Sequence, residues 1–129
     1  MAKGDGAHAE GGNTLATGSF SHAEGYLTAA TGSSAHAEGS GEYDSDEQKV
    51  WPTLAEGAAS HAEGWCTVAK GDYSHTEGYY TEAIGDCMHV EGSQCYGAGA
   101  YSHVGGAVSH SDYVGAFVHG LSCSSSRDY

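Results

Sequence analysis

Small and polar positions alternate along most of the chain, and each short alternating run closes on a glycine. In a seven-residue frame starting at Ala7, the first position holds Ala7, Thr14, Ser21, Thr28 and Ala35, then Thr53, Ser60, Thr67, Ser74 and Thr81. The third position holds Ala9, Ala16, Ala23, Ala30, Ala37, Ala55, Ala62, Ala69 and Ala83, with Thr76 among them. The fifth is glycine from Gly11 to Gly106 and again at Gly120; only Tyr113 and Arg127 break the column. Alternation over so few residues predicts strands, because side chains on a strand point to opposite faces in turn and no helix of ordinary length fits between the glycines. The glycines are expected to make the turns through positive φ.

Two heptads, each a strand and a turn, make one coil of fourteen residues. Coils that stack with parallel pairing give a flattened roll with a sheet on each side. The chain holds about eight coils, a rod on the order of 40 Å long at the usual interstrand spacing. Alanine, serine and threonine face inward, where nothing larger fits. So thin a core buries little apolar area per residue, and oligomerisation is the expected remedy. The frame is interrupted once, by EYDSDEQKVWP from Glu42 to Pro52, and resumes in phase at Thr53. An insertion that preserves phase predicts an exposed loop projecting from a regular scaffold.

Composition alone points elsewhere. Large aliphatic residues are scarce, 21 of 129 residues are glycine and the formal charge is −13, a profile usual for disorder that only the internal repetition overrides. The fixed cations are Lys3, Lys49, Lys70 and Arg127. This leaves no electrostatic footprint for nucleic acid or an anionic membrane, and neither is an expected partner. No apolar run reaches the length of a membrane span, and the start lacks the regions of a signal peptide, so export would need another route or a longer precursor. Cys66, Cys87, Cys95 and Cys123 fit neither a CxxC pair nor a zinc-knuckle spacing and are expected to be free thiols.

The repeat also carries chemistry. Its second position holds His8, His22, His36, His61, His75, His89 and His103 on every other heptad, and its fourth holds Glu10, Glu24, Glu38, Glu63, Glu77 and Glu91 beside them. Both project outward on one sheet. The other sheet carries Leu15 and Thr17, Ala29 and Thr31, Val68 and Lys70, or Glu82 and Ile84, with no rule. A solvent face tolerates drift, so a face held constant from coil to coil is expected to meet something. Toward the C-terminus the rule decays: Val104 and Gly105 follow His103 without a glutamate, His110 moves to the other sheet, and His119 takes the fourth position beside Phe117.

The heptad, read as small-x-small-x-Gly-x-x, resembles the head repeats of trimeric autotransporter adhesins, and its SHAEG form resembles repeats of phage tail-fibre proteins. The resemblance runs from Ala7 to about Gly120. It implies an all-β, left-handed parallel β-roll packed three around an axis, as a homotrimer. Residues 1–120 would form the roll, and 121–129 a capping or transition segment toward a region beyond Tyr129. It further implies a structural or adhesive fibre module on a virion or bacterial surface, with a host glycan or protein as partner. In the adhesin heads an apolar pair faces the axis; His22 and Glu24 stand in that place here.

Three readings of the ladder follow. Rings of three histidines beside rings of three carboxylates would satisfy one another across the trimer axis. No cofactor is required for this. Alternatively His22, His36, His61, His75 and His89 would hold zinc, nickel or iron on the axis, with glutamate as direct or outer ligand. In the third reading the ladder faces solvent and binds a repetitive partner such as a glycan. Phe20, Tyr26, Trp65, Tyr73, Tyr79, Tyr80 and Tyr101 lie at the turns, as edge shields or as a sugar-binding surface. Tyr43 and Trp51, in the acidic insertion, are the candidates for specific recognition. Catalysis is not expected: the serines beside the histidines belong to the inward column, so nucleophile and base would point to opposite faces.

Overall fold

The computed structural model describes residues 1–125 and contains strands but no helix, numbered here β1 to β17 along the chain. Each heptad contributes one strand. The histidine heptads give β1 (His8–Gly12), β3 (His22–Tyr26), β5 (His36–Ser40), β9 (His61–Trp65), β11 (His75–Tyr79), β13 (His89–Val90), β15 (His103–Ala107) and β17 (Phe117–Leu121), neighbours in that order in an eight-stranded sheet. The alternate heptads give β2 (Leu15–Ala16), β4 (Thr28–Ala30), β8 (Thr53–Ala55), β10 (Val68–Ala69), β12 (Glu82–Ala83), β14 (Tyr96–Gly97) and β16 (His110–Ser111), a seven-stranded sheet. Pairing in both is parallel and in register, as in His8↔His22, Ala9↔Ala23 and Glu10↔Glu24. The chain is therefore a parallel β-solenoid of fourteen-residue coils.

The inward columns make the core. Ala16, Ala23, Ala30, Ala37, Ala55, Ala62, Ala69 and Ala83 are fully buried. Ser21, Ser60, Ser74 and Ser102 of the first column are also buried, and each turns its hydroxyl to the nearby corner, donating to the carbonyls of Gly18, Gly57, Gly71 and Gly99 at 2.6–2.7 Å. Those hydroxyls are committed to holding the corner. Toward the C-terminus the core grows larger, with Met88, Val90, Val104 and Val118. Gly97 makes the room: a Cβ there would strike the end of the Met88 side chain.

The glycine column has two physical origins, and the expectation of positive φ holds for only one. Gly25, Gly39, Gly64 and Gly78, on the histidine sheet, do take φ of +108° to +114°. Gly18, Gly32, Gly57 and Gly71, on the other sheet, are not left-handed; a Cβ on Gly18 would collide with the carbonyl oxygen of Gly32 in the next coil. Close approach, not turn geometry, requires glycine there. The left-handed turn falls instead on the seventh position, on non-glycine residues such as Phe20 (φ 58°), Leu27 (54°), Ser34 (56°), Tyr73 (57°) and Tyr101 (58°). Corner backbone bonds hold them: Ser34 N–H donates to Ser19 at 2.8 Å, and Tyr73 N–H to Ala58 at 2.8 Å.

The insertion forms more than a loop. β6 (Glu42–Asp44) and β7 (Lys49–Trp51) pair antiparallel as a hairpin, with Asp44 Oδ1 accepting the Asp46 and Glu47 amides at the tip. Across it, β4 pairs directly with β8 and β5 with β9, which is why the phase survives. Beyond β17, Ser124 bridges to His110. The rest of the expected 121–129 capping segment, residues 126–129, lies outside the described residues, as does Arg127 of the fifth column.

Candidate functional site: the histidine and glutamate ribbon

In-register parallel pairing stacks identical residues, so the histidines of the eight-stranded sheet form one row and the glutamates a second beside it. The rings from His22 to His89 stack face to face, with centroids 4.8–4.9 Å apart and planes within 4°. His8 and His103 close the two ends with rings turned by 83°. His103 then stacks on Phe117, at 4.9 Å, where the histidine column ends. The register puts the histidines from His8 to His103 and the glutamates from Glu10 to Glu77 in these rows, and Glu91 stands 3.3 Å from His103.

Each Nε2 faces the carboxylate row. His89 bonds to Glu77 Oε1 at 3.2 Å. Glu63 is bracketed, its Oε2 3.7 Å from His61 and its Oε1 4.0 Å from His75. His61 is also 3.4 Å from Glu38, and His36 is 3.7 Å from Glu24. The Nε2 atoms of His22, His36, His61 and His75 are buried yet have no hydrogen-bond partner, although their side chains remain about a third exposed (33–38 %).

Proximity perturbs the row. Burial, and then the neighbouring His61, push the His36 and His75 imidazoles below their ordinary range, which favours neutral rings in the stack. Along the glutamates the direction alternates. Glu10, Glu38 and Glu77 are lowered, chiefly by hydrogen bonds from the glutamate of an adjacent coil. Glu24, between Glu10 and Glu38, is raised by its bonds to Glu38 and Glu10. Glu63 is raised to about 7 by burial and then by Glu77 and Glu38. Carboxylates one strand spacing apart share protons, so every second one holds its proton longer.

The C-terminal end holds a contact that the repeat rule does not predict. His119 pairs in register with Gly105, but its Nδ1 lies 3.7 Å from Glu91 Oε1, beside His103 Nε2 at 3.3 Å from the same oxygen. The sequence signal was Gly105, standing where the preceding coils carry glutamate. His110, on the opposite sheet as expected, pairs with Asp112 at 2.7 Å and stacks on Tyr96.

The two recognition candidates part company. Tyr43 is exposed on the hairpin, while Trp51 carries the Lys49 ammonium 3.4 Å above its ring and faces Tyr80 edge-on. Trp51 also lines a cavity of about 270 Å³ with Pro52, Leu54, Val68, Lys70 and Glu82, between hairpin and seven-stranded sheet. Glu42 anchors the hairpin, accepting the Tyr80 hydroxyl at 2.6 Å and the Trp65 indole at 3.4 Å. That carboxylate holds the Tyr80 phenol above its ordinary range, and burial does the same to the Cys66 thiol, which donates to the Trp51 carbonyl. Neither Glu42 nor Tyr80 was marked for this role by the repeat. All four cysteines are free.

Comparison with protein-family models, curated proteins and solved structures returns no match to this chain.

Proposed function

We propose that this solenoid is the structural and adhesive module of a homotrimeric fibre, with left-handed winding, at a virion or bacterial surface. The histidine and glutamate ribbons of three copies meet on the axis, and the hairpin with Tyr43 and Trp51 points outward to a host glycan or protein. One observation carries the reading: the ribbon is uniform from His22 to His89, down to ring planes within 4°, while the opposite sheet changes from coil to coil. Constancy on one face only is what burial by identical neighbours demands. The carboxylates beside the histidines, partly exposed as in Glu24 and Glu63, supply acceptors for such neighbours. The cavity lies under the hairpin on the other sheet, so it stays accessible in this arrangement.

Sedimentation equilibrium at neutral pH tests it. The expected mass is three times that of the 13.2 kDa chain. Glu63→Lys on the ribbon dissociates the trimer, whereas Ile84→Lys on the opposite sheet leaves it whole. A wild-type chain sedimenting as a monomer would remove the reason for placing the ribbon on an axis, and dissociation by the Ile84 variant alone would put the other sheet there.

A further inference from the structure

The ribbon divides into ligand sets that are complete within one chain. His8, Glu10 and His22 form one; Glu24, His36 and Glu38 the next; then His61, Glu63 and His75; then Glu77, His89 and Glu91. In each set one ligand atom per residue lies within 4.8 Å of the others, and these four sets share no residue. Glu91, His103 and His119 form a fifth that shares Glu91 with the fourth. Two nitrogens and one oxygen alternate with one nitrogen and two oxygens along the rod.

We infer that the chain binds a row of divalent transition-metal ions on this ribbon, one in each of the four separate sets, without needing a second copy. Metal–nitrogen and metal–oxygen bonds of about 2.1 Å put tetrahedral ligand atoms about 3.4 Å apart. One nitrogen–oxygen pair in each set approaches that, 3.5 Å for His8 and Glu10, 3.7 Å for Glu24 and His36, 3.7 Å for His61 and Glu63 and 3.2 Å for Glu77 and His89, while the third members lie farther out, within 4.8 Å. Small side-chain rotations close the remainder. Imidazole with carboxylate suits zinc, nickel or cobalt, and a chain of net charge −13 favours cations.

A second observation points to a ligand. The Nε2 atoms of His36, His61 and His75 are shielded from water, unbonded, and stand 3.7–4.0 Å from a carboxylate of their own set, and the equally unbonded Nε2 of His22 lies 4.0 Å from Glu24 of the next. A buried lone pair or N–H left without a partner is unfavourable, and a metal ion satisfies nitrogen and oxygen together. The inference differs from a metal ring on a trimer axis: here neighbouring coils of one chain supply the ligands. It does not rest on the trimer, since a monomeric chain carries the same sets.

Native mass spectrometry and visible spectroscopy with Co²⁺ at pH 7.5 test it. The expected count is four ions per chain, five where Glu91 bridges the last two sets, with the weak d–d bands of nitrogen and oxygen ligands. His75→Ala, which breaks the third set, lowers the count by one. Glu77→Gln, which keeps the side chain's shape, lowers it by one at the fourth set should the alanine variant not fold. His110→Ala, on the other sheet, leaves it unchanged. No retained ion, a count that both ribbon variants leave unchanged, or the intense thiolate-to-cobalt bands of cysteine coordination would overturn it. The count is read for monomer and trimer separately, so loss of the trimer and loss of metal binding are distinct results.

Discussion

His119 reaches past a whole coil: its register partner is Gly105, yet its Nδ1 stands 3.7 Å from Glu91, two coils away. The bare backbone of Gly105 leaves the path open, since a Cβ there would meet the His119 ring. A missing side chain in one coil thus extends the ribbon by a histidine from the next but one.

Gly105→Ala is expected to cost less than about 1 kcal/mol, because what it meets is the end of a side chain that can swing aside. Gly25→Ala is a different matter. Its φ of +108° and the carbonyl of Gly39 leave a Cβ no room, for a loss of roughly 2–5 kcal/mol from left-handed strain and overpacking together. Urea unfolding of the two variants checks the contrast; equal losses would refute the close-approach account.

Val108 is a β-branched residue at a left-handed corner, with φ of 55° and an exposed side chain. Val108→Asn should stabilise the chain by about 1 kcal/mol, raising Tm by roughly 3–5 °C, because asparagine tolerates that conformation. Calorimetry decides. No gain would mean that the corner carries no strain.

Acidity acts on the ribbon in two senses. His36 and His75 are lowered from an ordinary 6.5, so below that pH the unfolded chain takes protons the fold resists, and stability falls as pH drops. Glu63 is raised from 4.5 to about 7, so the fold holds a proton the unfolded chain releases, and that stabilisation is lost as pH rises through 7. The loss on acidification from His36 and His75 is therefore partly offset by Glu63. Glu63→Gln fixes the neutral form and removes the second contribution. Its Tm should rise more steeply from pH 5 to pH 8 than the wild type's, by a few degrees; parallel curves would show that Glu63 does not hold a proton.

Tyr80→Phe removes the 2.6 Å bond that ties Glu42 to the corner. The loss, roughly 1.5–3 kcal/mol for a bond to a charged group, falls on the hairpin rather than on the coils. Trypsin should cut after Lys49 several times faster while the main unfolding transition barely moves. An unchanged cleavage rate would mean that Glu42 is not the anchor.

Much of this was legible because strands have a period of two and the frame a period of seven: knowing the phase of His61 or Ala62 gives its face, and parallel register does the rest. The sequence reads less well where two causes choose the same residue. Gly18 and Gly25 look alike in the column and both avoid a carbonyl of the next coil, yet only Gly25 also needs a positive φ. Composition also hides the corners, since Phe20, Leu27 and Val108 are residues that ordinarily avoid left-handed backbone. The contacts of Glu42 with Tyr80, and of His119 with Glu91, join residues out of phase, which no repeat can announce.

The direct pairing of β4 with β8 around the hairpin shows that an excursion which closes on itself leaves the rungs on either side in register, whatever its length. Losing or duplicating one fourteen-residue unit would shorten or lengthen the rod by a single step and leave every other rung as it was. Gaining or losing seven would keep the inward columns inward but exchange the two sheets downstream, handing the histidines to the opposite side. Heredity can thus adjust the reach of such a rod like a ruler, in whole divisions only.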